Sequence, residues 1–127
     1  MKLNGTATDL CSNPFYHYIA ITFKNGKMEL LRTVPKVNKI ECIAKIVLCD
    51  EDLSSIKFFS DGNICNVTSF PTGRFYYISI TLGQKCAVLR EHQLGKHVID
   101  IDIIDNKKSS FLTVLYSDLN NDENAGN

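Results

Sequence analysis

Residues 75–82 read FYYISITL, and this stretch indicates the fold class. Aromatic and β-branched residues favour strands, and a strand turns successive side chains to opposite faces. Tyr76 and Ile78 therefore share one face, while Phe75 and Tyr77 share the other. Because aromatic and β-branched residues dominate both faces, the stretch predicts a β-strand.

Similar stretches fill the chain on both sides of this strand, and turn sequences separate them. Asn25-Gly26 and Asp61-Gly62 are typical hairpin turns, because glycine readily adopts the positive φ that a tight turn needs. The sequence predicts an all-β fold, an antiparallel β-sandwich in the form of an eight- to nine-stranded jelly roll. The expected strands occupy residues 15–23, 28–34, 40–49, 56–59, 64–69, 75–82, 86–93, 97–104 and 110–116.

The expected strand at residues 40–49 is apolar on both faces. Strict alternation puts Cys42 and Ala44 on one face, and Ile43 and Val47 on the other. A strand of this kind is expected in the centre of a sheet, or covered by a neighbouring element.

Length and composition fit one globular domain. The chain has 127 residues, 44% of them apolar and 22% charged, and its formal net charge is zero. We expect a flexible arm at residues 1–14, a β-sandwich domain at residues 15–117 and a disordered polar, acidic tail at residues 118–127. The balanced charge argues against direct nucleic-acid binding, and no apolar stretch is long enough for a transmembrane helix. Neither nucleic acid nor a membrane is therefore an expected partner.

The five cysteines favour a reducing compartment. Their number is odd and none forms a C-x-x-C motif, so buried reduced thiols are the simplest interpretation. Cys42 and Cys49 are seven apart in one expected strand, which directs them to opposite faces and prevents their pairing. Asp9 stands where a signal peptide would be apolar. We expect an intracellular protein, nuclear or cytoplasmic.

The three histidines are the candidates for acid–base or metal chemistry, because imidazole titrates near neutral pH. His92 and His97 flank a turn, but two histidines without a third ligand make a poor zinc site. His17 is expected as a packed or edge histidine, and Cys86 lies about 20 Å from His92 along one strand, too far for a nucleophile and its base. The sequence predicts no catalytic, cofactor-binding or metal-binding residue, no cofactor and no enzymatic activity. An enzyme would need His92, His97 and Asp100 to converge.

Asp100 and Asp102 project from one face of their expected strand, a geometry that a metal site could use. With Ile99, Ile101 and Ile103 directed inward, we expect the two carboxylates on a solvated outer face.

The loop Asp50, Glu51 and Asp52 is a mild acidic cluster. Carboxylates at an exposed loop suit a basic partner, so these three residues are the predicted partner-binding site.

The aromatic run Phe75, Tyr76 and Tyr77 places rings on both faces of its strand. Oligomeric β proteins use strands with two apolar faces to join subunits. These three residues are therefore the predicted oligomer interface.

Four motifs in the second half of the chain follow a characteristic order. They are ICNV at residues 64–67, FYYISI at 75–80, AVL at 87–89 and GKHVIDI at 95–101. This order resembles the nucleoplasmin-like domains of histone chaperones and nuclear prolyl isomerases. The resemblance implies an eight-stranded jelly roll that assembles into pentamers and binds histones. The chain departs from that family in its neutral net charge, its short acidic tail and its additional strand at residues 110–116.

The expected function is that of a non-enzymatic, oligomerising β-sandwich domain, a scaffold or a chaperone for basic proteins such as histones. Its expected partner is a further copy of itself, and the resemblance implies a pentamer. Two alternatives stay open: a monomeric β-sandwich or barrel that binds a small apolar ligand, and a viral-type jelly-roll interaction protein.

Overall fold

The computed structural model describes residues 5–14, 16–80, 86–105 and 109–117. These residues form ten antiparallel strands and one 3-10 turn, Pro35–Val37, so the all-β, antiparallel prediction is confirmed. The strands are β1 Ala7–Ser12, β2 Tyr18–Phe23, β3 Lys27–Val34, β4 Lys39–Val47, β5 Ser55–Phe58, β6 Ile64–Ser69, β7 Arg74–Ser79, β8 Ala87–Gln93, β9 Val98–Asp105 and β10 Ser110–Tyr116.

The strands form two four-stranded sheets and a separate hairpin. Sheet A has the order β1-β2-β3-β4, sheet B has the order β5-β6-β7-β8, and β9 pairs with β10. Within each sheet consecutive strands are neighbours, so each sheet is a meander. A jelly roll would instead carry Greek-key connections between its sheets, and the strand order therefore differs from the expected topology.

One apolar cluster joins the two sheets. Alternation directs one face of each sheet toward the other, and the side chains on those faces are almost completely buried. This arrangement is sandwich-like. The buried members of the cluster are Tyr18, Ala20, Met28, Leu30, Leu53, Ile56, Phe58, Cys65, Val67, Tyr76, Ile78 and Ile80.

The β9–β10 hairpin covers the outer face of sheet B at β7. Phe75 is buried in a second cluster with Val98 and Ile101 of the hairpin, and Tyr77 packs against the same cluster. This packing explains why β7 is apolar on both faces: one face contacts the core between the sheets and the other contacts the hairpin. Both contacts lie within the single chain.

Strand β1 lies in the segment that was expected to be a flexible arm. Ala7–Ser12 pairs with β2, and the amide of Ile56 in β5 donates a hydrogen bond to Asp9 Oδ2 at 3.0 Å. Residues 7–12 carry little apolar alternation, and Thr8 forms a bulge, which is why sequence periodicity did not indicate this strand. The expectation of an unstructured arm is corrected for these residues.

Because β1 and β5 meet on one side of the molecule, β4 and β8 are the edge strands on the other side. This corrects the expectation of a central strand for residues 40–49: β4 lies at an edge, with Ala44 and Ile46 packed against the core and Ile40 and Val47 exposed. The β4 strand has a bulge at Ile43, because Leu30 pairs with Ala44 and Leu31 with Cys42. The bulge switches the direction of the side chains, so Cys42 and Ala44 face opposite sides.

A bulge also changes the expected facing of β9. Leu115 pairs with Asp100 and Tyr116 with Val98, which leaves Ile99 as the additional residue. Val98 is therefore buried with Ile101, while Ile99 is exposed rather than directed inward. Asp100 and Asp102 lie on the exposed face, as expected.

Some expected features lie outside the described residues: the tail at residues 118–127, residues 1–4 of the arm, and the end of the strand expected at residues 75–82. Within the part of the chain that the structure describes, no helix has the length and apolar character needed to cross a membrane.

Candidate functional site

The outward side of the β9–β10 hairpin presents large apolar side chains to solvent. Its inward side packs on β7, so strand alternation forces the remaining residues outward. Ile99, Ile104, Phe111 and Leu115 are between 51% and 59% exposed. We define the hairpin face as Ile99, Asp100, Asp102, Ile104, Phe111, Thr113 and Leu115.

The hairpin face is acidic as well as apolar. Asp100 Oδ1 and Asp102 Oδ1 each accept a hydrogen bond, at 2.9 Å, from the backbone amide of the following residue. Asp105 accepts a hydrogen bond from the hydroxyl of Ser110. Residues 98–105 and 109–117 contain these three aspartates and no lysine or arginine, while Lys107 and Lys108 lie outside the described residues. The carboxylates are thus held in place without an opposite charge from the described hairpin strands.

A second exposed apolar surface follows the β4 edge. Val37, Ile40 and Val47 are 66%, 46% and 74% exposed. Three exposed lysines lie among them. We define the β4 edge surface as Lys36, Val37, Lys39, Ile40, Ile43, Lys45 and Val47.

The β4 edge surface is basic. Two carboxylates lie beside it: Glu41, which Arg32 contacts at 2.7 Å and Lys39 at 3.7 Å, and Glu29, which Lys27 contacts at 3.0 Å. The hydrogen bond from Arg32 holds the pKa of Glu41 below its usual value. Lys36 and Lys45 form no ion pair with the described residues. The surface therefore keeps an excess of positive charge.

The other edge strand, β8, is exposed along its full length. Leu89 forms a bulge in it, and the neighbouring Val88 is 47% exposed. Arg74 of β7 contacts Glu91 at 3.4 Å, which attaches β8 to its neighbour through side chains. Bulges and charged residues at an edge hinder the addition of further strands.

A cleft of about 380 Å³ lies between the outer face of sheet B and the start of β10. The rings of Phe59 and Tyr77 stack in its wall, with centroids 6.3 Å apart and planes at 23°. Its volume lies within the range of small-molecule sites. The cleft is lined by Phe59, Asp61, Ile64, Tyr77, Leu89, Arg90 and Ser110.

The side chains considered for catalysis are not brought together. His92 lies against Phe75, with ring centroids 6.3 Å apart, and His17, His92 and His97 are all exposed. In the described ranges, no three histidine, cysteine or acidic side chains converge to hold a metal ion. His97 takes part in the structure through its carbonyl, which accepts a hydrogen bond from the Ser117 amide at 2.9 Å.

The acidic loop is divided between internal contacts and solvent. Glu51 accepts a hydrogen bond from the Thr72 hydroxyl at 2.9 Å and lies 3.9 Å from Arg74. Asp50 and Asp52 are exposed. Two of the three predicted partner-binding residues are therefore accessible, while Glu51 is half-buried and holds the loop to its neighbours.

The predicted interface residues lie mostly inside the chain. Phe75 is 3% exposed and Tyr76 is 2% exposed, and Tyr77 is half-buried beside the cleft. The interface prediction assumed that one face of β7 was free, whereas the hairpin covers it. In this structure neither Phe75 nor Tyr76 offers its ring to a second subunit.

All five cysteines are free in this structure, but they differ in their surroundings. Cys65 is buried in the core and Cys42 is exposed. Burial raises the pKa of the Cys65 thiol. The pKa of the Cys42 thiol is also raised, mainly by partial burial and further by the nearby Glu29 carboxylate. Neither thiol is in a setting that favours the reactive thiolate at neutral pH.

Sequence reasoning did not identify the hairpin face or the β4 edge surface. The sequence did carry a signal of these exposed apolar surfaces, since β4, β9 and β10 have apolar residues at both odd and even positions. No protein-family model matches this chain, and no curated protein matches it significantly.

Proposed function

We propose that this protein is a self-associating, non-enzymatic β-sandwich domain that serves as a scaffold. The observation that carries this function is the hairpin face, where four large apolar side chains are about half exposed on the β9–β10 strand pair. Concentrated apolar exposure on a soluble domain marks an interaction surface, because its burial against a partner is favourable.

Contacts on the inward side of the hairpin hold the hairpin face in place on sheet B. Val98 and Ile101 hold the hairpin on β7, so its backbone needs little further ordering on binding. A preorganised surface loses less conformational entropy in the complex, and more of its apolar burial contributes to affinity.

The nucleoplasmin-like resemblance contributes less to this proposal than the surfaces do. We propose a sandwich of two meanders with an added hairpin, which is a different strand order from the jelly roll that the resemblance implies. Self-association and an acidic surface for basic proteins are the properties that remain in common. Salt-sensitive binding of histones would add a chaperone role, and its absence would leave the scaffold.

Sedimentation velocity across the micromolar range tests self-association. We expect species heavier than the 14.3 kDa monomer, in a proportion that rises with concentration. A single 14.3 kDa species at every concentration would contradict the proposed function.

The cleft favours a second candidate function, the binding of a small amphipathic ligand. Apolar walls with a few polar groups at the rim are typical of such sites, and Arg90 is placed to contact an anionic group. Native mass spectrometry of the freshly purified protein should then detect a bound mass. Leu89→Glu should remove this mass, whereas Val88→Glu, at an exposed neighbour outside the cleft lining, should retain it.

A further inference from the structure

We propose that the hairpin face of one copy of this chain binds the β4 edge surface of a second copy. This interface presupposes the self-association proposed above, and it assigns which two surfaces meet. Its occupant is another copy of the same chain because the two surfaces complement each other in charge and in apolar character.

The two surfaces carry opposite charges. The described strands of the hairpin carry Asp100, Asp102 and Asp105, whereas the β4 edge surface carries Lys36, Lys39 and Lys45. Opposite potentials across an interface favour the correct pairing, and like charges brought together are costly. Asp100 and Asp102 of two copies would repel each other if brought together, and so would Lys36 and Lys45 of two copies.

The two surfaces also expose apolar side chains. Phe111 and Leu115 project from the hairpin face, and Ile40 and Val47 project from the β4 edge surface. Each surface therefore combines large apolar groups with charges that are mainly of one sign. Contact between them would bury apolar area on both copies and pair the charges.

The two surfaces lie on different parts of the fold. β4 lies at the edge of sheet A, whereas the hairpin covers the outer face of sheet B. Two different surfaces used in this way give a head-to-tail interface, which repeats from copy to copy. Such an interface generates a closed ring or an open filament, depending on the rotation between copies.

The β4 edge is protected against nonspecific strand addition by the bulge at Ile43 and by its lysines. A continuous ladder across this edge would be interrupted at the bulge. Side-chain charge and shape should therefore select the partner surface more than backbone pairing does.

Charge reversal on each surface provides the test. The hairpin variant is Asp100→Lys/Asp102→Lys, and the β4 variant is Lys36→Glu/Lys45→Glu. All four positions are exposed, and the two lysines form no ion pair with described residues, so both variants should fold. Each alone should associate at least about tenfold more weakly than the wild type in sedimentation experiments.

Mixing the two variants is the decisive experiment. The reversed hairpin of one variant then faces the reversed β4 edge of the other, and the two unchanged surfaces also match. We expect the equimolar mixture to regain association, while each variant alone remains largely monomeric. A control of the same chemistry is Lys57→Glu, on β5 and away from both surfaces, which should associate as the wild type does.

The outcomes separate this interface from the proposed function. A wild type that is monomeric throughout would contradict both. A wild type that associates, with both charge-reversed variants unaffected or with no recovery on mixing, would overturn the assigned surfaces and leave self-association intact. Circular dichroism of each variant confirms that a loss of association does not come from unfolding.

Discussion

The Asp9 carboxylate accepts a hydrogen bond from the Ile56 amide at 3.0 Å and thereby joins the edge strands of the two sheets. The second carboxylate oxygen accepts one from the Leu10 amide at 2.9 Å. Because Ile56 is almost completely buried, its amide has no water to replace the lost partner. This hydrogen bond lies on the side of the molecule where β1 and β5 meet.

Asp9→Ala should lower the free energy of unfolding by about 1.5–3 kcal/mol, since it removes a charge-assisted hydrogen bond from a buried amide. Urea denaturation measures the change. Asp9→Asn keeps one carbonyl acceptor, so its free energy of unfolding should fall by less than that of Asp9→Ala. Asp50→Ala, at an exposed position, should stay within about 0.5 kcal/mol of the wild type. Equal losses for Asp9→Ala and Asp50→Ala would contradict the role of this hydrogen bond.

Gly62 and Gly95 share a φ of 74° but differ in the space around them. A Cβ at Gly62 would lie 2.6 Å from Asn13 Oδ1, whereas nothing lies within 4 Å of a Cβ at Gly95. Gly95→Ala should cost about 1–2 kcal/mol, the penalty of the left-handed conformation for an L-residue. Gly62→Ala should cost about 1–3 kcal/mol more, because it disturbs the buried hydrogen bond from Asn13 to the Gly62 carbonyl. Similar denaturation midpoints for the two variants would refute this difference.

Tyr76 should contribute to a loss of stability at high pH. Burial raises the pKa of its phenol to about 12, against an ordinary value of 10.0. The neutral phenol is the form that the folded state favours, so its contribution is complete below pH 10 and is lost as the pH rises through about 12. The free energy of unfolding of the wild type should fall more steeply across this window than that of Tyr76→Phe. Parallel curves for the two proteins would show that Tyr76 does not titrate differently on folding.

Substitutions at Phe75 and Phe111 should have different effects, because Phe75 is buried between β7 and the hairpin whereas Phe111 lies on the exposed hairpin face. Phe75→Ala should lower the free energy of unfolding by about 3–5 kcal/mol, because it leaves a cavity between β7 and the hairpin. Phe111→Ala, at a side chain 54% exposed, should change stability little and weaken self-association. Phe75→Leu is a milder variant if the alanine form does not fold. A Phe75 variant of unchanged stability would contradict the docking of the hairpin on sheet B.

Alternation and turn sequences located most of the strands. Gly26 and Gly62 adopt the positive φ expected of their hairpin turns, and the nine expected strands correspond to β2 through β10. β1 was not indicated, because the residues at 7–12 lack alternation and owe their strand conformation to pairing with β2. Local sequence can thus indicate a strand that has its own amphipathic pattern, but not one that is defined by its neighbour.

Bulges explain why simple alternation assigned some side chains to the wrong face of their strand. The additional residues at Ile43 and Ile99 each switch a strand from one face to the other partway along. A bulge depends on the register against the partner strand, and the register involves residues distant in sequence. Simple alternation therefore placed Cys42 beside Ala44 and directed Ile99 inward, and the structure corrects both.

Local sequence is enough to locate most of the strands and turns and to show that several strands are apolar on both faces. These features are local, since backbone preference and side-chain period act over a few residues. Which of the two faces is covered depends on the packing of segments that are distant in sequence. The hairpin buries Phe75 of β7, while Ile40 and Val47 of β4 and Phe111 of β10 remain exposed. The physical reason is that apolar burial is nondirectional: a side chain's apolarity favours a covering partner but does not specify which distant segment supplies it.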